Sequence, residues 1–137
     1  MKIYSKVTIS LLLCSSFSLA DEYAVIANTK IKDLSSTQIK AIFLKKISVI
    51  GDIKIVPLNL EARNPLRESF ENDVLNMSFE RLKSYWTKQH YLGKRPPISM
   101  RSQESVKTFV KKVDGAIGYI DAKLIDDSVK VLYRWSE

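Results

Sequence analysis

The sequence predicts an α/β fold: a three-layer αβα sandwich around a small, mixed, mostly parallel β-sheet. Short apolar runs alternate along the chain with longer segments in which apolar residues recur every three or four positions. This alternation is typical of helices packed on both faces of a sheet. The chain also lacks internal repeats and interior linkers, which indicates one domain. The predicted order is strand, helix, strand, three helices, strand, short helix and strand.

The first 20 residues have the pattern of a secretory signal peptide. Two lysines precede a short apolar core at residues 7–13, and a small-x-small cleavage site ends at Ala20. The apolar core is too short to span a membrane. We therefore predict a periplasmic protein whose mature chain, residues 21–137, is one domain without a transmembrane segment. The alternative is a lipoprotein anchored through Cys14, although a large residue precedes that cysteine.

Composition restricts what the mature chain can bind or catalyse. Removing the two signal-peptide lysines from the 22 basic residues leaves 20 against 15 acidic residues, a net charge of +5. In an exported protein this charge favours a small oxyanion, a membrane surface or an acidic protein over nucleic acid. The mature sequence has no cysteine and His90 as its one histidine, so no disulfide, metal cluster or Ser–His–Asp set can be argued. We expect neither catalysis nor a cofactor.

The first strand and the first helix are predicted within residues 23–46. Tyr23–Asn28 is a short, mostly apolar run without strict alternation, as expected for a strand covered on both faces. Ser35 and Gln38 then form a capping box, which marks the start of a helix. The apolar face of that helix consists of Ile39, Ile42 and Phe43.

The second strand and the second helix meet within Val56–Phe70, where we expect the binding site. Ile53–Leu60 is a mostly apolar run typical of a buried strand. Pro57 predicts that this strand lies at an edge or is irregular near its end, because proline cannot donate to a ladder. Asn64 is a good N-cap, and Pro65 suits the first helical position. The apolar face of the helix consists of Leu66, Phe70 and Val74.

The turn between this strand and this helix is a candidate anion site. A helix N-terminus presents free N–H groups and the positive end of the helix dipole. Arg63 and Arg67 flank it, and Arg67 lies in the first turn, where a cation opposes the dipole. A negative partner is therefore expected. It is either a bound anion or a carboxylate of the chain itself, Glu61, Glu68 or Glu71.

A third helix is predicted after Ser78, its N-cap, with a largely aromatic buried stripe. The stripe consists of Phe79, Leu82 and Trp86, together with Tyr85. His90 lies at the end of this helix, where a positive charge would favour the dipole. The segment Tyr91–Arg101 is predicted to be a loop with a basic edge, because it contains Gly93 and two consecutive prolines.

A fourth helix and two strands complete the predicted domain. Ser102 caps the helix, whose apolar face is Val106, Phe109, Val110 and Val113, and we predict that Phe109, like Trp86, is a core residue. Ala116–Ile120 is a buried strand, and the glycine inside it, Gly118, marks close approach by another backbone or a ligand. A short turn then leads to the closing strand, Val129–Tyr133, with Trp135 behind it.

Four segments of the chain resemble segments of one known family and occur in the same order as in that family. Asp114–Asp121, DGAIGYID, is similar to a pGAIGYv motif, and Leu34–Lys46 resembles a helix of the pattern ls.eql..iF.gk. Ile55–Leu60 resembles the strand before the family's ligand loop, and Tyr85-Trp86 resembles a pair found in short relatives. The family is the type II periplasmic binding proteins, in the phosphate-binding branch of ABC transporter substrate-binding proteins. The resemblance implies the fold of one lobe.

The sequence departs from the family pattern in its length and in its ligand loop. The family's phosphate binders close two lobes on the ligand, whereas this chain has the length of about one. Their loop reads Arg-x-Asp-Gly-Ser-Gly-Thr. Here Leu60 stands at the arginine position, Ala62 at the aspartate position, and Asn64-Pro65-Leu66 at Ser-Gly-Thr. The helix N-terminus and two shifted arginines are what the resemblance still implies for anion binding.

The leading hypothesis is an exported, solute-binding-like protein that binds a small, phosphate-like oxyanion weakly. Charge-assisted hydrogen bonds would come from the two arginines, and the asparagine and a backbone amide would orient the ligand. A second wall would come from Ser102, at the start of the fourth helix, or from the basic loop before it. The predicted ligand-binding residues are Arg63, Asn64, Leu66, Arg67 and Ser102.

The alternative hypothesis is a periplasmic protein–protein interaction module that has lost ligand binding. A single lobe cannot close over a small ion, so the face that would hold the ligand is free to dock a protein. The partner would be an ABC transporter, a sensor domain of a histidine kinase, or a second copy of the chain in a homodimer.

Overall fold

The computed structural model describes residues 21–137, and the predicted signal peptide and Cys14 lie outside the described residues. Export and lipidation therefore stay predictions. In chain order the elements are β1 (Glu22–Ala27), α1 (Ser36–Phe43), β2 (Val49–Ile50), β3 (Ile53–Lys54), β4 (Val56–Leu60), α2 (Pro65–Asp73), α3 (Phe79–Tyr91), β5 (Ile98–Met100), α4 (Gln103–Lys112), β6 (Ala116–Asp121), a 3-10 helix (Ala122–Leu124) and β7 (Lys130–Ser136).

Five strands form one mixed sheet in the order β5-β4-β6-β1-β7. β4 is parallel to both of its neighbours, β5 and β6. β1 is antiparallel to both β6 and β7. Four strands therefore run in one direction and β1 alone runs in the other, which confirms the predicted mixed, mostly parallel sheet. β2 and β3 form a separate hairpin.

Helices cover both faces of this sheet, as predicted. Adjacent residues of a strand point to opposite faces. On one face, a Cβ placed on Gly118 would lie 2.4 Å from Cγ1 of Val106, so α4 rests directly on the glycine. On the other face, Tyr119 stacks on Phe70 of α2 with ring centroids 4.1 Å apart, and Phe43 of α1 lies beside both rings. The prediction that Gly118 marks close approach by another backbone or a ligand is therefore wrong, because the close neighbour is a helix side chain.

The predicted helix starts are confirmed. The Ser35–Gln38 capping box is complete, and Asn64, Ser78 and Ser102 each cap the following helix. The apolar faces predicted for the first two helices are buried: Ile39, Ile42, Phe43, Leu66, Phe70 and Val74. These signals are local hydrogen bonds and local spacing, so the sequence contains them in full.

The strand predicted at Ile53–Leu60 is two strands separated at Ile55, and it does not take the edge position that was one of the two alternatives predicted from Pro57. Ile53 and Lys54 belong to the hairpin, whereas β4 starts at Val56 and lies between β5 and β6. Pro57 is tolerated inside the sheet because β5 pairs with β4 only from Leu58 onward. The Val56 N–H already bonds to β6, through the Gly115 carbonyl oxygen at 2.8 Å. An N–H at Pro57 would point to the β5 side of β4, where pairing begins only at Leu58.

The predicted loop Tyr91–Arg101 contains the strand β5, which the sequence analysis missed. This strand has three residues and follows two prolines, so it has no hydrophobic alternation to recognise. It exists because Leu58–Leu60 offers a parallel partner, which is a non-local contact. The closing strand is also longer than predicted and includes Trp135, whose Nε1 donates to Oγ of Ser69 at 3.0 Å.

The predicted aromatic stripe of the third helix is only partly buried. Leu82 is buried, but Phe79 is 68% exposed and Trp86 is half-buried. Phe109 of α4 is likewise half-buried, so the prediction that Trp86 and Phe109 are core residues is wrong in degree. α3 contacts the body along the side of Leu82 and Tyr85, which turns Phe79 toward solvent.

Candidate binding site at the strand ends

The carboxyl ends of β4 and β5 lie side by side, on the side of the sheet where these parallel strands end. The two strands are parallel, and Leu60 at the end of β4 pairs with Met100 at the end of β5. The loops that follow therefore start next to each other. These loops and the helix starts behind them contain all the predicted site residues: Arg63, Asn64, Leu66 and Arg67 after β4, and Ser102 after β5.

The chain leaves these two strands on opposite faces of the sheet. α2, which follows β4, packs on the face of Tyr119, and α4, which follows β5, packs on the face of Gly118. In α/β sheets, a divergence of this kind marks the place outside the carboxyl ends of the strands where ligands commonly bind. We call the space between residues 61–64 and residues 101–102 the strand-end crevice.

The first turn of α2 offers no free backbone amide to this crevice. Pro65 has no N–H. The Leu66 N–H donates to Oδ1 of Asn64 at 2.9 Å, and the Arg67 N–H donates to the carbonyl oxygen of Asn64 at 3.0 Å. Asn64 and Leu66, two of the predicted ligand contacts, are thus bonded to each other. A ligand would have to displace this cap to reach the Leu66 amide.

The side chain of Arg67 folds back onto the chain. Its Nη1 donates to the carbonyl oxygen of Leu60 at 2.9 Å, and its Nε lies 3.4 Å from Oε1 of Glu71. This is ion-pair distance, but the Nε–H has no hydrogen-bond partner within the described chain, although it is buried. Among the carboxylates considered for Arg67, the structure places Glu71 beside it. Whether an anion also binds there stays a prediction.

The ion pair with Arg67 does not fully compensate the burial of Glu71. Burial is the largest influence and raises the pKa of the Glu71 carboxyl group, the positive charge of Arg67 lowers it, and the nearby Glu68 raises it further. Burial prevails, so the net effect is an elevated pKa. Glu71 in its ionised form is the negative partner of Arg67 beside the loop.

Arg63 and Ser102 differ in their availability to a ligand. Arg63 is exposed, and its side chain makes no ion pair or hydrogen bond with any residue of the range 21–137. The Ser102 hydroxyl accepts from the Ser105 N–H at 3.1 Å and shares a hydrogen bond with the Ser105 hydroxyl. Arg63 is therefore the predicted site residue that is freest to meet a ligand.

A buried tyrosine at the end of β4 was not predicted as part of this region. The Tyr119 hydroxyl donates to Oδ1 of Asn59 and accepts from the Leu60 N–H at 3.1 Å. Burial raises the pKa of Tyr119 far above its ordinary value, so the hydroxyl stays protonated. It fixes the residues from which the loop departs. The sequence showed only a tyrosine in a buried strand, with no sign of this hydrogen-bond role.

A second cleft at the same sheet edge also escaped the sequence analysis. It has a volume of about 550 Å³ and lies where β1 begins and where β6 and β7 end. Both signs of charge line it: Asp21, Glu22 and Asp121 face Lys123 and Arg134, with Ser136 beside them. Their sequence separation hid this grouping, because it arises from the antiparallel position of β1.

Neither a metal-binding cluster nor a membrane-spanning helix occurs among residues 21–137. No three or more His, Cys, Asp or Glu side chains in this range are arranged to hold a metal ion. No helix in the same range combines the length and the apolar character that crossing a bilayer requires.

Solved structures of phosphate-binding proteins share this architecture. An ABC-type phosphate transport receptor from Vibrio cholerae matches with a TM-score of 0.65 and 23% identity. A phosphate ABC transporter substrate-binding protein with bound phosphate, from Clostridium perfringens, matches with a TM-score of 0.66 and 28% identity. PstS from Borrelia burgdorferi gives 0.60 and 18%. The chain has the fold of one lobe of a phosphate-binding protein.

The extent of these matches agrees with a single lobe. They cover 85%, 82% and 84% of this chain, but 47%, 44% and 48% of the respective binding proteins, so the chain spans less than half of their length. The resemblance and the fold predicted from the sequence are thereby confirmed. No protein-family model and no curated protein matches the sequence. The similar proteins are binding and transport proteins by description, which fits a non-enzymatic reading.

Proposed function

We propose that this protein is exported and acts as a solute-binding-like lobe, without catalytic activity, that binds a small oxyanion weakly at the strand-end crevice. The observation that carries the proposal is the divergence of α2 and α4 from the adjacent ends of β4 and β5. The similarity to a binding protein solved with bound phosphate supports the ligand class. The exposed Arg63 supplies a cation without an ion pair among the described residues.

The internal hydrogen bonds of the site explain why binding would be weak. Asn64 already occupies the amides of Leu66 and Arg67, and Pro65 has none. Arg67 divides its guanidinium between Leu60 and Glu71. An incoming phosphate would gain the charge of Arg63 but few preorganised donors, and one lobe leaves the ion partly in water. We expect a dissociation constant near the millimolar range, equivalent to about 4 kcal/mol.

Titration calorimetry at low salt with phosphate and with sulfate tests this proposal. Arg63→Gln should reduce the heat of binding below detection, since losing a hydrogen bond to a charged group costs about 1.5–3 kcal/mol. Arg81→Gln removes an exposed arginine of α3 and serves as the matched control, with binding like that of the wild type. Absence of heat in the wild type with both anions, or equal binding by Arg63→Gln, contradicts oxyanion binding at this crevice.

Export is tested on the protein isolated from its own cells. If the signal peptide is cleaved after Ala20, the N-terminal sequence should begin at Asp21 and the mass should be that of residues 21–137. A chain that begins at an acylated Cys14 would instead be a membrane-anchored lipoprotein. A retained Met1 would contradict export through this segment.

A protein-docking role is the second candidate function, and one observation favours it specifically. The donors at the first turn of α2 are bonded within the chain, as expected where a loop no longer serves a small ligand. The partner would be an ABC transporter, a periplasmic sensor domain or a second copy of this chain. Native mass spectrometry distinguishes the homodimer: Arg63→Glu should lower the dimer fraction if the crevice is the interface. A monomeric mass with retained phosphate favours the first candidate.

A further inference from the structure

The end of α3 carries an exposed apolar pair on an ordered turn. Tyr91 is 84% exposed and Leu92 is 65% exposed. The turn is held by hydrogen bonds from the Leu92 N–H to the Gln89 carbonyl oxygen and from the Gly93 N–H to the His90 carbonyl oxygen, each 3.0 Å long. Gly93 has a φ of +78°, which a glycine adopts without strain. We call residues 91–95 the tip.

Positive charge surrounds this apolar pair. Residues 79–97 contain five basic side chains against one acidic side chain, Glu80, so this segment holds most of the net +5 of residues 21–137. The basic residues are Arg81, Lys83, Lys88, Lys94 and Arg95. None of the five forms an ion pair within the described chain. Their charge is therefore available to a partner outside the domain.

α3 also stands apart from the rest of the domain. Leu82 is its one buried side chain, and the Tyr85 hydroxyl ties it to the Leu44 carbonyl oxygen at 2.5 Å. Phe79 at its start is 68% exposed, and Trp86 in its middle is half-buried. The helix thus presents an exposed aromatic residue at each end, Phe79 and Tyr91, with cations between them.

We propose that the tip docks this protein on an anionic lipid surface. Tyrosine and leucine side chains suit the boundary between headgroups and acyl chains, and long cationic side chains reach the lipid phosphates from there. An apolar contact combined with basic residues is the pairing of signals that gives reversible membrane association. The proposal is independent of any ligand at the strand-end crevice.

The geometry favours a lipid surface over an acidic protein as the occupant. The apolar part of the tip consists of two exposed side chains, and their area is much smaller than the roughly 800 Å² per partner of a stable protein interface. Arg81 and Lys88 are seven residues apart and share one side of α3, whereas Lys83 lies on nearly the opposite side, because each residue turns the helix by about 100°. A fluid lipid headgroup layer adapts to such a distribution, whereas a protein surface has fixed charges.

Cosedimentation with vesicles tests the proposal on protein purified from the exported fraction, with the N-terminus of every variant checked by mass. Vesicles of phosphatidylcholine with phosphatidylglycerol should bind the wild type at low salt, and vesicles of phosphatidylcholine alone should not. Lys94→Gln with Arg95→Gln should weaken binding about fivefold for each charge removed. Tyr91→Ser with Leu92→Ser should weaken it about tenfold or more, because both apolar contacts are lost. These residues are exposed, so thermal unfolding should be unchanged.

The control neutralises two cations elsewhere. Lys111→Gln with Lys112→Gln changes the net charge equally, at exposed positions at the end of α4, and should weaken vesicle binding by less than about twofold. No binding to the anionic vesicles overturns the proposal and leaves an acidic protein as the partner to seek. Equal loss in the control and the tip variants also overturns it, because diffuse net charge would then explain the binding.

Discussion

Two consecutive helices of this domain, α2 and α3, are attached to it very differently. α2 inserts Phe70 between Phe43 and Tyr119, in the centre of an aromatic cluster. α3 buries Leu82 and is tied to the body by the hydroxyl of Tyr85. Both helices show apolar residues at helical spacing, and both begin at a good N-cap. Spacing thus identifies the apolar side of a helix, whereas the depth of burial depends on what lies opposite.

The largest expected difference is between one phenylalanine of each helix. Phe70→Ala should destabilise the protein by about 3–5 kcal/mol, because it empties the centre of the core. Phe79→Ala, the matched change at the start of α3, should stay within about 0.5 kcal/mol, because that ring is exposed. Urea unfolding of both variants measures the two values. Similar losses at the two positions would mean that α3 is as deeply packed as α2.

The second prediction concerns the hydroxyl group beneath α2. Tyr119→Phe removes the partner of both Asn59 Oδ1 and the Leu60 N–H, which stay buried. We expect a loss of about 1–3 kcal/mol in the free energy of unfolding. Tyr133→Phe is the control on β7, a half-buried tyrosine without a hydroxyl hydrogen bond to described residues, and should cost less than about 0.5 kcal/mol. If Tyr119→Phe leaves the free energy of unfolding unchanged, water replaces the hydroxyl at the end of β4.

A smaller effect is expected for the arginine that joins α2 to β4. Arg67→Met removes the hydrogen bond to the Leu60 carbonyl oxygen and leaves Glu71 without its cation. We expect a destabilisation of about 1–2 kcal/mol. Arg63→Met, at an exposed position of the same loop, should change the free energy of unfolding by less than about 0.5 kcal/mol. A gain in stability for Arg67→Met would mean that its conflict with the helix dipole outweighs both contacts.

The smallest effect is a pH dependence due to Glu71. Burial raises the pKa of Glu71 above its ordinary value of 4.5 in the folded state. The folded state therefore binds more protons than the unfolded chain between the two pKa values. The Glu71 contribution to stability is full below about pH 4.5 and is lost as the pH rises through the folded-state pKa. The wild type should thus lose stability relative to Glu71→Gln over this range, and a constant difference would contradict the raised pKa.

Features that depend on contacts close in sequence were predicted correctly, whereas a feature that depends on a contact distant in sequence was missed. Ser35, Asn64, Ser78 and Ser102 were all identified as caps, because a cap bonds to a backbone N–H two or three residues away. The strand β5 was missed, because its pairing partner in β4 is about 40 residues distant. The order of strands and helices along the chain still predicted the layered fold, and the structural similarity to phosphate-binding proteins confirms it.

The candidate site was predictable in position but not in its internal contacts. The sequence placed it at the start of α2, and the pairing of β4 with β5 brings Ser102 to the same edge. It could not choose among three glutamates for Arg67, since the choice of Glu71 depends on side-chain geometry. It also could not show that Asn64 occupies the Leu66 amide, which decides how open the site is. Ligand binding by these residues stays a prediction.

The position of β1 in the sheet has a consequence for the timing of folding. Among residues 21–137, β1 is the first strand along the chain, whereas its two neighbours in the sheet, β6 and β7, are the last two. Ala27 pairs with Ile117, about 90 residues further along the chain. Until those residues exist, β1 has no partner on either side and the sheet lacks its centre. Such distant pairing slows folding, because loop closure must precede the contacts that reward it. The sheet can therefore be completed only after β6 and β7 have been synthesised.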